Sequence, residues 1–236
     1  MYSHVIGNWP THDRFILTSC DEKYFNDYFP RFFSTFSEHW KLPIHIHLIN
    51  PSSLSLDRLD KLEVTHTHCD TTSKKLDWPH WFVTYCQAQR FILLGHRITE
   101  NQNIIVADVD CYAQKNPSVK QRNLLSSDMC FTTFNSRLMA TFCNFHGSRK
   151  DEAFKAAKLM EDMIENTSTV GVDQKVIKKI FGKISYKELT HGEWIRHWDV
   201  KSAVDQELHD KCLVYHQKGC RGKDQGRKIE WTDIGL

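Results

Sequence analysis

The residues best suited to do chemistry are two aspartates, Asp108 and Asp110, separated by Val109 and preceded by the apolar run Ile104-Ile105-Val106-Ala107. A short continuous apolar run reads as a strand buried on both faces of a sheet. Carboxylates directly after it sit at the strand's carboxyl end, where open α/β sheets place their ligands. In an extended segment, side chains at i and i+2 point the same way, so both acids face one cation. Hard divalent ions take oxygen ligands, and Mg²⁺ or Mn²⁺ is commonly shared between protein carboxylates and substrate phosphates. The expected chemistry is an ion held between the two acids and a diphosphate. The alternative is a pair of turn or surface aspartates with no ion.

The elements that must position this pair alternate between strand and helix patterns. Residues 14–18 read as the first core strand, followed by Ser19-Cys20-Asp21-Glu22-Lys23-Tyr24 as a loop or helix start with Asp21 as its N-cap. Phe29, Phe32, Phe33 and Phe36 then recur at helical spacing and read as the core side of a helix over 28–40. Residues 43–50 alternate like a second strand. His45 and His47 share one of its faces, and His66 and His68 repeat the pattern. Four zinc ligands from two neighbouring strands are geometrically possible, but no acidic partner singles them out, and hydrogen-bonded or solvent-facing histidines are the expectation.

A helix over 82–94 carries Gln87, Gln89 and Arg90, with Gly95 expected to end it. Residues 129–134 and 138–145 read as two strands of a hairpin, and 151–165 as a helix with Phe154, Ala157 and Leu159 apolar. The helix over 172–181 has Asp173 in its first turn and Gly182 at its end. Residues 212–216 make a last strand ending in His216, before a tail rich in Gly, Lys and Arg over 217–228.

A chain of 236 residues suits one α/β domain with a substantial core. Its formal net charge of +2 gives no electrostatic case for nucleic acid as partner. No apolar run approaches the roughly eighteen residues that span a bilayer, and Met1-Tyr2-Ser3-His4 opens without a signal-peptide pattern. The eight cysteines include no Cys-x-x-Cys, which points to a reduced, cytoplasmic setting rather than disulfides or a four-cysteine zinc site. The basic tail leaves peripheral attachment to anionic lipid open.

Taken in order, these pieces resemble a GT-A glycosyltransferase, particularly the glycogenin and bacterial galactosyltransferase type (glycosyltransferase family 8). The resemblance is carried by Phe15-Ile16-Leu17-Thr18-Ser19-Cys20-Asp21-Glu22-Lys23-Tyr24, by Ile105-Val106-Ala107-Asp108-Val109-Asp110, by Asp173-Gln174 and by Val214-Tyr215-His216-Gln217-Lys218-Gly219. It implies a single Rossmann-like GT-A domain over 1–236. A mixed, mainly parallel sheet is flanked by helices, with a nucleotide-binding half to about residue 115 and an acceptor half beyond it. By resemblance, Thr18, Ser19, Asp21 and Tyr24 hold the base and ribose. Asp108, Asp110 and His216 hold Mn²⁺ or Mg²⁺, Arg90 and Asp108 lie near the donor, and Lys218, Gly219 and Lys223 lie near the diphosphate. Asp173 and Gln174 lie near the sugar and acceptor. The chain departs from the family pattern in lacking a glycine in Phe134-Asn135-Ser136-Arg137 and Phe142-Cys143-Asn144, in placing Lys223 one position late, and in having no Pro-Trp after it.

The activity implied is transfer of a sugar from a nucleoside-diphosphate sugar, such as a UDP-sugar, to a glycan, lipid or protein acceptor, with retention of configuration. If the enzyme inverts, Asp173, Glu193 or Asp199 is a candidate general base. Trp194 and Trp198 beside those acids read as core packing or as an acceptor surface. A nucleotidyltransferase of related fold is one rival, set back by the absence of glycine in Thr18-Ser19-Cys20-Asp21. A catalytically silent nucleotide- or carbohydrate-binding domain is the other. Oligomeric state is not legible.

Overall fold

The computed structural model describes residues 5–62, 64–71, 78–126, 129–134, 137–197, 210–217 and 229–236. In chain order its elements are β1 (Ile6–Gly7), β2 (Arg14–Asp21), α1 (Glu22–His39), β3 (Ile44–Ile49), α2 (Ser53–Lys61), β4 (Thr65–Cys69), α3 (Trp81–Arg97), β5 (Asn103–Ala107) and β6 (Cys111–Ala113). They continue through α4 (Val119–Ser126), β7 (Cys130–Phe134), β8 (Arg137–His146), α5 (Lys150–Asn166), α6 (Val172–Phe181), β9 (Lys187–Thr190), β10 (Ile195–His197) and β11 (Val214–His216).

The main sheet has strand order β1-β4-β3-β2-β5-β8-β7-β9. Its ladders make β2, β3, β4, β5, β7 and β9 run one way, with β1 and β8 opposed. This is the mixed, mainly parallel α/β sheet expected from the sequence. A second sheet of order β10-β11-β6 stands beside it.

Helices cover both faces because the central strands β2, β3 and β5 are buried at nearly every position, with apolar residues on both faces. Phe15 and Leu17 of β2, with Ile104 and Val106 of β5, pack into one core with α3, α5 and α6. The alternate residues Ile16, Ile105 and Ala107 join the core under α1, where Phe25, Phe29, Phe32 and Phe36 form the helix's buried stripe. Burying each such side chain is worth roughly 1.5–3 kcal/mol. The stripe is therefore packing, as its spacing indicates. Asp21 caps α1 by accepting the Tyr24 N–H at 2.8 Å.

Gly95 does not end α3. The helix runs on to Arg97, and Gly95 lies where α3 meets α5. A Cβ at this position would stand 2.6 Å from the Ala157 Cβ and would overlap the Ala153 carbonyl. The glycine is there for close helix approach, not for a left-handed cap. Phe154 is also corrected: at 45% exposed it lies off the buried face of α5, which Ala153, Ala156, Ala157, Met160 and Ile164 form instead.

His45 and His47 are fully buried and hydrogen-bonded. The His45 nitrogens lie 3.1 Å from the hydroxyls of Thr65 and Thr67, and His47 Nδ1 lies 2.9 Å from Thr67. His47 Nε2 is 3.4 Å from the Cys69 sulfur. Among the described residues, the β3 and β4 histidines form no group of three ligands able to share an ion. The seven cysteines among these residues are all free thiols, and no described helix is long and apolar enough to cross a membrane.

Candidate active site at the end of strand β5

The main sheet delivers Asp108 at the carboxyl end of β5, the small sheet delivers His216 to it, and helices α3 and α6 deliver Arg90 and Asp173. The Asp108 N–H donates to the Thr141 carbonyl at 2.9 Å, fixing it beside β8. Val109 and Asp110 then form a turn, closed by the Cys111 N–H donating to the Asp108 carbonyl at 3.0 Å. The two acids are thus not the successive same-face residues of an extended segment that the sequence suggests. The turn takes the chain out of the main sheet and into β6 of the small one.

Both carboxylates nevertheless converge on one ring. Strand β11 pairs antiparallel with β6, placing His216 opposite Cys111. The Gln217 N–H donates to the Asp110 carbonyl at 3.0 Å and extends that pairing. His216 Nε2 lies 3.1 Å from Asp110 Oδ1 and 3.5 Å from Asp108 Oδ2. Asp110 is pushed toward a higher pKa by burial, but the imidazole of His216 and backbone hydrogen bonds outweigh this and hold it below the usual carboxylate range.

Arg90 joins the group from α3. Its Nη2 is 2.5 Å from Asp108 Oδ1 and 3.5 Å from Asp173 Oδ2. Burial pulls the guanidinium pKa down, but Asp108 and Asp173 more than offset this and raise it, so the group stays charged. Asp173 is placed by Gly171, whose φ of +64° starts α6 in the left-handed region, and it lies buried in that helix's first turn. Asp108, Asp110, His216, Arg90 and Asp173 therefore form one connected cluster.

Strand β8 underpins the cluster through an irregularity. Opposite β7 its register jumps from Cys143 at Phe131 to Met139 at Thr132, so residues 140–142 bulge away. Their backbone groups are met by the site itself. The Ala140 carbonyl accepts from Arg90 Nη2 at 3.3 Å, the Thr141 carbonyl from Asp108 and the Phe142 carbonyl from the Thr132 hydroxyl. Gln174, with its amide oriented to satisfy both neighbours, donates to the Leu138 carbonyl at 3.0 Å and accepts from the Ala140 N–H at 2.8 Å.

The remaining expected residues are less concentrated. Asp21 and Tyr24 sit at the carboxyl end of β2 and the start of α1, with the Tyr24 ring 5.1 Å from that of Tyr28. Thr18 is fully buried within β2, and the Ser19 hydroxyl donates to the Cys86 carbonyl at 3.3 Å. Trp194 is buried core and Glu193 is exposed. Lys218, Gly219, Lys223, Trp198, Asp199, Asn135 and Ser136 lie outside the described residues.

Two neighbours of the site were not singled out from sequence. The Tyr28 phenol is pushed to a higher pKa by burial, then by Tyr24 and by Asp110, which places it in the field of the acids. Its signal was its position one helical turn after Tyr24. Cys111 has its thiol pushed well up by burial, with Asp108 and Asp110 adding to it. Its signal was adjacency to Asp110, but its relation to His216 depends on strand register.

The Asp110 carboxylate and the His216 imidazole are donors of a kind that fit a divalent ion, with Asp108 held on the Arg90 guanidinium beside them. No known protein-family model matches the chain, and no curated protein matches its sequence. Among solved structures, it is similar to the bifunctional glycosyltransferase WbbM in its apo form, with a TM-score of 0.61 and 12% identity over 97% of this chain and 50% of that one. This chain thus spans about half the length of that protein. At this identity the likeness is one of fold: the chain shares the mixed α/β, Rossmann-like architecture of that structure.

Proposed function

We propose that the protein is a metal-dependent glycosyltransferase acting on a nucleoside-diphosphate sugar, with the donor bound largely by residues up to about 115 and the acceptor by those beyond. The single observation that carries this reading is the convergence of His216 on both Asp108 and Asp110 at the carboxyl end of β5. That is where an open α/β sheet receives ligands, and the fold is one that a glycosyltransferase uses.

In this reading Asp108, Asp110 and His216 hold Mn²⁺ or Mg²⁺, which when bound supplies Lewis-acid stabilisation of the departing diphosphate. Tyr24 offers its ring to the base from the start of α1. Arg90 fixes Asp108 and Asp173 in a preorganised arrangement, so no side chain has to reorganise as charge develops. Asp173 orients the sugar or the acceptor hydroxyl. Lys218 and Lys223 follow His216 in the chain and add charge-assisted hydrogen bonds to the phosphates. Retention of configuration is the expected outcome.

The test is a panel of UDP- and GDP-sugars with Mn²⁺ or Mg²⁺, read by release of nucleoside diphosphate and by mass spectrometry of the glycosylated acceptor. Turnover by wild type that is lost in Asp110→Ala supports the proposal. Release of pyrophosphate instead, or nucleotide-sugar binding that is indifferent to metal, overturns it.

A further inference from the structure

Beyond the two acids and the histidine, the structure brings a sulfur to the same point. The Cys111 Sγ, a carboxylate oxygen of Asp110 and a ring nitrogen of His216 all lie within 4.8 Å of one another. Among the described residues this is the one group of three possible ligands from His, Cys, Asp and Glu gathered so closely. We propose that Cys111 is itself an ion ligand, giving a mixed sulfur, nitrogen and oxygen site that takes Zn²⁺ or Co²⁺ in preference to Mg²⁺. The proposal deepens the metal-dependent reading above and rests on it for the ion's role in turnover.

Three features support it. Cys111 and His216 are register partners across the β6–β11 ladder, and directly opposed residues project from the same face of a sheet with Cβ atoms about 5 Å apart. A four-coordinate ion with bonds of about 2.0–2.3 Å needs its donors about 3.5 Å apart, so small side-chain movements from the present spacing suffice. Cys111 and His216 are each 1% exposed, so both donors are already shielded from bulk water.

The second feature is the state of Asp108. Its Oδ1 already lies 2.5 Å from the Arg90 guanidinium. Arg90 therefore balances Asp108 and part of Asp173, whereas Asp110 faces the His216 ring at 3.1 Å, beside Cys111. The third feature is charge. On binding, the Cys111 S–H bond breaks, its proton leaves to water, and a sulfur–metal bond forms with no change of oxidation state. One thiolate and one carboxylate then neutralise a divalent ion, and His216 adds a neutral donor. Thiolate and imidazole suit Zn²⁺ and its cobalt analogue, whereas Mg²⁺ requires near-octahedral oxygen.

The experiment is a Co²⁺ titration of the metal-free full chain, followed by absorbance. Cobalt bound to sulfur gives a near-ultraviolet thiolate charge-transfer band, besides the visible bands of any bound Co²⁺. We expect wild type to show both, with Zn²⁺ displacing the cobalt. Cys111→Ser and Cys111→Ala should lose the near-ultraviolet band and bind Zn²⁺ about 100-fold or more weakly, with circular dichroism checking that each variant folds. Asp108→Asn should keep the band.

Visible cobalt bands without a thiolate band in wild type would overturn the proposal, and so would a thiolate band that survives Cys111→Ser. Mn²⁺-dependent turnover without any cobalt–thiolate signal would overturn it while leaving the glycosyltransferase reading intact. Calorimetry showing that none of Zn²⁺, Co²⁺, Mn²⁺ and Mg²⁺ binds would remove both.

Discussion

Arg90 Nη2 and Asp108 Oδ1 lie 2.5 Å apart, with the guanidinium buried and the same nitrogen 3.5 Å from Asp173. One cation from the middle of α3 thus serves acids delivered by β5 and α6. Breaking a buried pair by removing one partner leaves an uncompensated charge and costs about 3–5 kcal/mol. Arg90→Met should lower stability by that order, measured by urea denaturation. Adding Asp173→Asn should recover part of the loss, since one stranded carboxylate is then neutral. Equal stability of Arg90→Met and wild type would show that the pair is solvated rather than buried.

Gln174 is expected to matter for stability as well as for any chemistry. Both ends of its amide are used on the Leu138 carbonyl and the Ala140 N–H, at the stretch where β8 departs from β7. Gln174→Ala leaves those two groups without the side chain, at a cost of about 1–3 kcal/mol. Gln174→Glu keeps the acceptor and loses the donor, so an intermediate melting temperature is expected. A melting temperature unchanged in Gln174→Ala would free this residue for the substrate role that the sequence resemblance gives it.

Gly95→Ala tests the contact between α3 and α5. Added volume in a tight interface costs about 1–3 kcal/mol, opposing the roughly 1 kcal/mol that alanine gains over glycine in a helix interior. The conflict at Ala157 is between side chains, whereas that at Ala153 involves backbone. Ala157→Gly in the same chain should therefore rescue Gly95→Ala only in part, as read by chemical denaturation. Stabilisation by Gly95→Ala alone would mean that the helices stand farther apart.

Acid should weaken the fold through β3. Burial is the main reason that His45 and His47 titrate at about 3 rather than 6.5. For His45 the neighbouring His47, His66 and Arg97 add to burial, and for His47 His68 does so; the rings of Trp9 and Phe15 face His45. The folded state favours the neutral rings, so their contribution is complete above the unfolded pKa of 6.5. It is lost as pH falls from there toward 3. At pH 4.5 the loss is about 2–3 kcal/mol per histidine. Urea midpoints measured from pH 7 to 4.5 should fall accordingly, and more shallowly in the His45→Gln/His47→Gln double variant.

The arrangement of helices on both faces of the sheet was legible because β2 and β5 carry continuous apolar runs at 15–17 and 104–107 and α1 carries phenylalanines at helical spacing. The acids and His216 were legible through chain order and resemblance. Gly95 was misjudged because a glycine near the end of an apolar helix pattern looks the same whether it caps the helix or admits a neighbour. The partner that distinguishes the two, Ala157 of α5, is far along the chain. Cys111 escaped notice for a related reason: its nearness to His216 comes from pairing between β6 and β11. The hold of Gln174 on β8 depends on a bulge that no local pattern announces. Short elements such as α2 were also missed, although Glu22 anchors its start by accepting from the Ser52 N–H at 3.0 Å and from the Ser52 and Ser55 hydroxyls at 2.8 Å.

The β6–β11 ladder joins a strand just after the first hundred residues to one close to the last twenty. Contacts between positions so distant along a chain are slow to close. During synthesis β2, β3 and β5 are available to pair long before His216 leaves the ribosome, so the acids spend that interval without the ring that gathers them. The cluster is thus complete only once β11 has emerged, and a chain interrupted before it would carry the main sheet without the ring that faces both acids.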